Sequence, residues 1–386
     1  MRDVTITDSI LYVGVDDKTL DLFESQYIIP NGVSYNSYVI LDEKVTVMDT
    51  VDARATESWL SNLDAALAGR DVDYLVVSHM EPDHASNIKN IMDKYPNLKV
   101  VGNAKTFAMI PQFFDVDISD RTVAVKEGDT LCLGKHTLQF FMAPMVHWPE
   151  VMVTYEQTEK ILFSADGFGK FGALDADEAW TCEARRYYFN IVGKYGAQVQ
   201  ALLKKAATLD IQMICPLHGP ILKEDLGYYI GKYDIWSKYE PEDEGVFIAY
   251  ASIHGNTAKA AKKLAEMLEE KGAKRVAIAD LSRDDMAEAV EDAFRHSKLV
   301  VASSTYDGGL FPCMEDFLAH LKAKNYQKRT VAMIENGSWA PVAAKKMREY
   351  FEGMKEITLC EPVVTIKSTM KDDTLKVMEE LAEKLV

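Results

Sequence analysis

Apolar and polar positions change their period along this chain. Over residues 1–50 the apolar positions come in short runs separated by turns. Asn31-Gly32 signals one turn, and Tyr38-Val39-Ile40-Leu41 and Val45-Thr46-Val47-Met48 flank Asp42-Glu43-Lys44 as a hairpin. A helical period predicts a helix over 54–68 with Trp59 and Leu60 turned inward, and a buried strand follows at 73–77. A helix from Ala85 to Tyr95 and a strand at Lys99-Val100-Val101 continue the alternation to about residue 115. From 121 the pattern turns to β, at 122–125, 137–141, 151–155 and 161–164. A helical stretch over about 177–208, containing Arg185-Arg186-Tyr187-Tyr188, precedes a short strand at 211–214 and an amphipathic segment at 221–240. Many strands between two helical layers predict two sheets sandwiched between helices.

At Pro241-Glu242-Asp243-Glu244-Gly245 the pattern breaks into a polar Pro/Gly stretch, the best position for a domain boundary. Beyond it, buried-type strands at 246–250, 275–278, 299–303, 330–334 and 357–359 alternate with helical patterns at 257–271, 284–294, 312–323, 340–352 and 370–385. That alternation predicts a doubly wound parallel sheet. Two domains, 1–245 and 246–386, are therefore expected, and 386 residues exceed what one hydrophobic core usually holds.

Charge and cysteine content narrow the function. A formal net charge of -17 leaves no basic surface to displace counterions from nucleic acid. Five widely spread Cys (132, 182, 215, 313 and 360) without a Cys-x-x-Cys pair indicate neither a disulfide scaffold nor a thiolate metal site. The first residues carry acids early, and no run of 18 apolar residues occurs, so neither a signal peptide nor a membrane span is expected. A cytoplasmic protein fits these features best.

The candidate chemistry lies at strand ends. His79-Met80-Glu81-Pro82-Asp83-His84 follows Tyr74-Leu75-Val76-Val77-Ser78, putting four side chains of metal-ligand type just past a buried strand. His147 follows the strand at 137–141, Asp166 the strand at 161–164, and His218 the strand at 211–214. Singly, His218 reads as a structural imidazole, His147 as a packed one, and Asp166-Gly167 as a turn. Together, four His and three carboxylates at four strand ends read as a metal site. Seven ligands are too many for one four-coordinate ion and suit two. Asp166, from a separate loop, is the natural bridge, His79 and Glu81 facing one ion and Asp83 and His84 the other. Imidazole and carboxylate without sulfur suit iron, manganese or zinc. The remaining His136, His296 and His320 lie beside Lys or on helical surfaces and are expected to be solvated.

A second constellation follows the boundary. Ser252-Ile253-His254-Gly255-Asn256-Thr257 joins a strand to a helix, an arrangement whose backbone N–H groups and helix dipole cradle an anion. It has neither the triphosphate nor the dinucleotide glycine pattern, so a monophosphate fits better. The stretches Ser303-Ser304-Thr305-Tyr306-Asp307-Gly308 and Asn336-Gly337-Ser338-Trp339 each pair small residues with one aromatic, as a flat ring would require.

The first motif, with its later His, Asp and His, resembles the metallo-β-lactamase-like fold, with Glu81 where that fold's zinc hydrolases usually carry His. The three later loops resemble the flavodoxin pattern for FMN, with His254 at a position where a hydroxyl residue or Tyr is common. The whole chain looks like a flavodiiron protein (A-type flavoprotein). That resemblance implies an αββα sandwich followed by a flavodoxin-like domain. It implies FMN, two iron ions with a bridging oxo or hydroxo ligand, and reduction of dioxygen to water, of nitric oxide to nitrous oxide, or both. It further implies a head-to-tail homodimer or homotetramer, and electrons from a separate donor, rubredoxin or reduced coenzyme F420. Trp148 and Tyr195 are the expected pocket walls at the iron. A binuclear zinc hydrolase with a flavodoxin-like domain and a plain flavin electron carrier are the alternatives.

Overall fold

The computed structural model describes residue 4 and residues 6–386. Two compact units divide at 234/235, and the segment Phe189–Gly196 packs in the second of them. The sequence break at 241–245 therefore lies inside the second unit. Phe189 stacks on Phe294 with ring centroids 4.3 Å apart, and Asn190 Nδ2 donates to the Ala287 carbonyl at 3.1 Å.

The first unit is a sandwich of two sheets. One runs in the order Ile10–Tyr12, Tyr38–Ile40, Thr46–Met48, Tyr74–Val76, Lys99–Gly102, Thr122–Ala124. The other runs Thr130–Cys132, Thr137–Met142, Met152–Glu156, Ile161–Phe163, Met213–Cys215. The expected hairpin pairs antiparallel, with Val39 opposite Val47. Inward-facing residues of both sheets, among them Tyr38, Met48, Val76, Phe140, Met152 and Phe163, form one buried cluster. In both sheets parallel neighbours carry the site: Thr46–Met48 beside Tyr74–Val76, and Ile161–Phe163 beside Met213–Cys215. Parallel strands end at the same edge, so the residues that follow each strand emerge near each other.

Three expectations change here. The helix predicted from Ala85 starts earlier, because Pro82 is pre-set for a first helical turn; Pro82–Ala85 is helical, and a second helix, Ile88–Lys94, follows. The stretch at 177–208 is not one helix. It runs as α-helix over Trp180–Tyr187, as a wide π-turn over Tyr188–Val192, as a 3-10 turn over Gly193–Tyr195 and as α-helix again over Gly196–Ala206. His136 and His296, expected to be solvated, are buried: His136 lies between Ser9 Oγ and Glu156, and His296 stacks on Phe247.

Five strands of the second unit's main sheet run parallel, in the order Val276–Asp280, Asp243–Ala251, His296–Tyr306, Arg329–Asn336, Ile357–Leu359, and the short Gly309–Leu310 pairs antiparallel with His296–Tyr306. Val246 to Ala251 are all buried, as strands covered by helices on both faces require. One strand was not anticipated: Val364–Ile366 pairs in parallel with the far end of Arg329–Asn336, Ile366 beside Asn336. No helix among the described residues is long and apolar enough to cross a membrane.

Trp59 links this core to the first motif. Its side chain is fully buried, and its indole N–H donates to Ser37 Oγ at 3.0 Å. Ser37 donates in turn to the Asp49 carbonyl at 2.8 Å, and the Asp49 carboxylate accepts from the N–H of Ser78, the residue before His79, at 2.6 Å. Trp59→Ala is expected to cost the first unit about 3–5 kcal/mol, the range for deleting a buried aromatic, read as a lowered urea midpoint.

Candidate functional site

The first unit gathers all seven ligand-type side chains into two touching clusters, His79–Glu81–His147–Asp166 and Asp83–His84–His218. His79 and Glu81 lie just past the strand Tyr74–Val76, and the helical turn Pro82–Ala85 swings Asp83 and His84 to the second cluster. In the first cluster, His79 Nε2 lies 3.3 Å from Glu81 Oε2, His147 Nε2 and Asp166 Oδ2. His147 Nε2 lies 3.0 Å from Glu81 Oε2 and 3.2 Å from Asp166 Oδ2. In the second, His84 Nε2 is 3.0 Å from His218 Nε2 and 3.2 Å from Asp83 Oδ2, and His218 Nε2 is 3.1 Å from Asp83 Oδ2. Asp166 touches both: Oδ2 belongs to the first group, while Oδ1 stands 3.3 Å from His84 Nε2 and 3.9 Å from His218 Nε2.

These spacings test whether metal ions fit. Ligand atoms bound at about 2.0–2.2 Å around one tetrahedral ion stand roughly 3.3–3.6 Å from each other, close to the spacings here. Both oxygens of Asp83 and both of Asp166 are buried, and neither carboxylate has a backbone or hydroxyl donor, only imidazole nitrogens beside it. A buried carboxylate in that state costs several kcal/mol unless a positive charge is supplied. The residues therefore fit a pair of cations.

The electrostatics agree. Burial alone would lower the His79 pKa, but the Asp166 charge and the bonds to Glu150 and Glu81 hold it well above its ordinary value. Burial opposes His147 as well, yet bonds to Asp166 and Glu81 raise it to about 9. Asp166, against its complete burial, is held well below the usual carboxylate range by His79, His147 and His84. The carboxylates thus draw positive charge into the site. Divalent ions would provide it while leaving the imidazoles neutral, as ligands must be.

Groups behind the ligands aim them. His79 Nδ1 donates to Glu150 Oε1 at 2.8 Å, and the Met80 N–H donates to the same oxygen at 2.8 Å. His218 Nδ1 donates to the Ser34 carbonyl at 2.7 Å. Each bond commits Nδ1 to a proton and leaves Nε2 as the ligand atom. Glu150 lies three residues beyond His147 in the same loop and is not among the residues expected from the sequence pattern.

Of the two expected pocket walls, Trp148 is at the site, its ring centroid 5.2 Å from that of His79. Tyr195 lies half-buried in the 3-10 turn Gly193–Tyr195, within the second unit. The tyrosine at the clusters is Tyr187, with its ring 5.6 Å from His218 and its buried hydroxyl without a hydrogen-bond partner. Burial, then the charges of Asp166, Asp83 and Glu81, push its pKa far up, so the phenol keeps its proton. The π-turn over Tyr188–Val192 breaks the helical phase between the two tyrosines, which sequence periodicity does not reveal.

The second unit carries a cavity of about 370 Å³ at the carboxyl ends of its strands. Ser252, Ile253, His254, Asn256, Thr257, Thr305, Asp307, Gly308, Asn336, Gly337, Ser338 and Trp339 line it. Gly255 precedes the helix Asn256–Glu270 at φ +86°, a conformation that suits glycine, and its N–H donates to Ser252 Oγ. Two expected members face elsewhere. Ser303 is fully buried within the strand His296–Tyr306, and Tyr306 packs on Phe311 beside a neighbouring cavity. Alternation along that strand brings Ser304 to the cavity in place of Ser303. Ser368, past the unanticipated strand, also lines it. The helix N-terminus, the hydroxyls beside it and the 83% exposed Trp339 fit a phosphate with an attached flat ring.

Comparison with known proteins places both units. Residues 33–219 match the family described as ODP family beta lactamase, and residues 247–362 match the flavodoxin domain family. The chain is 29% identical over 394 residues to a nitric oxide reductase of Moorella thermoacetica, covering 100% of this chain and 98% of that one. Among solved structures it resembles the rubredoxin oxygen:oxidoreductase of Desulfovibrio gigas, at 26% identity and a TM-score of 0.92, covering 99% and 97% of the two chains. The flavodiiron protein of Giardia intestinalis is equally near, at 26% identity and a TM-score of 0.92, with coverage of 98% and 96%.

Glu150→Ala would leave His79 free to rotate and its Nδ1 without an acceptor. Loss of such an outer partner typically weakens metal binding about 10–100-fold. That loss is expected here, measured by competing the bound metal against a chelator.

Proposed function

The chain matches the flavodiiron proteins in sequence and in structure along nearly its whole length, and from that premise we propose that it is an oxidoreductase that reduces dioxygen, nitric oxide or both at a diiron centre, with electrons passed through FMN. The observation that carries this reading is Asp166, whose two oxygens reach toward two separate ligand sets. In it, His79, Glu81 and His147 would hold one iron and Asp83, His84 and His218 the other, with Asp166 standing between the two sets. Glu81 favours iron over zinc, because an anionic oxygen stabilises the ferric state better than imidazole does. Iron and FMN, when bound, supply single-electron chemistry, and together they can store the four electrons that turn dioxygen into water.

The chain's own residues do the rest. Glu150 and the Ser34 carbonyl hold the imidazoles in one tautomer and one orientation. The Tyr187 phenol keeps its proton beside the second cluster and stands there as a hydrogen-bond donor. Trp148 packs edge-on against the His79 ring and holds it in place. In the second unit the loop before the helix Asn256–Glu270 takes the FMN phosphate, and Asn336 to Trp339 take the ring.

Residues 1–245 are assigned to the iron site and 246–386 to the flavin. It includes a homodimer or homotetramer arranged head to tail, one subunit's flavin serving another's iron. It also includes a separate electron donor, rubredoxin or reduced coenzyme F420; rubredoxin appears in the name of the Desulfovibrio gigas relative.

Protein produced under zinc limitation is expected to carry two iron ions per chain with ferric absorption. Two zinc ions and no such absorption would instead indicate a hydrolase. His147→Ala is expected to abolish dioxygen and nitric oxide consumption after anaerobic reduction while FMN content stays unchanged. Undiminished consumption would rule out the metal clusters as the reaction site.

A further inference from the structure

The seat of Asp166 is set by side chains that are not themselves ligands. Asp166 stands in the loop after the strand Ile161–Phe163, and its carboxylate faces both ligand sets. Two residues of that loop hold left-handed backbone without being glycine, Ala165 at φ +50° and Phe168 at φ +66°. For a side chain as large as Phe, this conformation persists only where the surroundings impose it.

The imposing groups come from two helices, and all of them belong to the first unit. The Phe168 N–H donates to Tyr233 Oη at 2.6 Å, and the Phe168 carbonyl accepts from the Trp180 indole N–H at 3.2 Å. Tyr233 lies in the helix Leu226–Ser237, and Trp180 opens the helix Trp180–Tyr187. The Phe168 and Tyr233 rings pack with centroids 4.3 Å apart, tilted by 31°. All three side chains are buried, so water is no substitute for either bond. Both backbone polar groups of Phe168 are committed to this clamp.

Short turns carry the clamp to Asp166. The Gly167 N–H donates to the Ser164 carbonyl at 3.0 Å, and Ser164 Oγ donates to the Gly167 carbonyl at 2.6 Å. The Gly169 N–H donates to the carbonyl of Asp166 itself at 3.0 Å. On the other side, the Ala165 carbonyl accepts from the N–H of Leu217, the residue before His218, at 2.9 Å. Asp166 is thus held between two left-handed residues, each bonded to another element. Released from Tyr233, Phe168 would relax toward an ordinary φ and turn the adjoining peptides with it. A carboxylate moved from its seat can still reach one ligand set, but it cannot span both.

We propose that Tyr233 is a positioning residue that, with Trp180, clamps Phe168 so that Asp166 bridges two metal ions instead of serving one. The inference rests on the two-metal reading above and deepens it.

The test titrates Co(II) into the full chain freed of metal, with calorimetry for the two affinities and electron paramagnetic resonance for magnetic coupling between the ions. Tyr233→Phe removes the acceptor and Trp180→Phe the donor, and each keeps an aromatic ring in place. In both variants the second Co(II) is expected to bind about 10–100-fold more weakly, as when an outer partner of a metal ligand is lost. The first ion is expected to bind as in the wild-type chain, and the coupled signal of the two-cobalt form to give way to that of isolated ions. General loosening of the fold would not separate the two ions in this way. An uncoupled wild-type signal, or in either folded variant an undiminished second affinity, equal weakening of both ions or a retained coupled signal, would overturn the clamp and leave the two-metal reading standing. A wild-type chain that takes up only one Co(II) ion would remove that reading, and the clamp's role with it.

Discussion

A carboxylate buried away from water with no backbone or hydroxyl donor is among the most costly features a protein interior can carry, and Asp166 is the one on which the first unit depends. Its two oxygens point to different imidazole sets, and neither is satisfied by backbone or hydroxyl. Positive charge must therefore stand on both sides of it. The sandwich makes that possible because loops from both sheets leave their strands at a shared edge. His79, Glu81, Asp83 and His84 follow one sheet's strand; His147, Asp166 and His218 follow strands of the other.

Holding such a site open requires rigidity behind it. Trp59, Ser37, Asp49 and Ser78 form a bonded line from the helix layer to the residue before His79. On the opposite side, Thr50 bonds the His84 carbonyl through both its N–H and its hydroxyl. Hydrogen bonds to the Nδ1 atoms of His79 and His218 then fix which nitrogen faces inward. Repulsion among ligands spaced about 3 Å apart is resisted by this scaffold, as preorganised metal sites require.

The second unit answers a different demand with the same geometry. A flavin has an anionic end and a flat apolar end, and the carboxyl edge of a parallel sheet offers a helix N-terminus for one and adjacent loops for the other. In this pocket Thr257, Ser304, Asn336 and Ser368 hydrogen-bond to each other between neighbouring elements.

Much of this could be read from the residues. The seven ligand types recur after strands, and the parallel alternation of the second unit follows from its hydrophobic runs, because both depend on local pattern. The phosphate loop was legible for the same reason: its glycine, hydroxyls and helix start are contiguous. Three-dimensional packing decided what depends on phase or on distant partners. Ser304 rather than Ser303 faces the cavity because strand alternation cannot be phased from sequence where both faces are buried. Tyr187 faces His218 where a π-turn interrupts the helix, which periodicity does not show. Glu150 and Ser368 act through partners far away in sequence, His79 and Asn336. His136 and His296 are buried because strand pairing and packing enclose them, although their sequence neighbours are charged. The sequence alone determined which chemistry the strand ends carry. The tertiary structure decided which ligands share an ion, since that depends on where the two sheets bring their edges together.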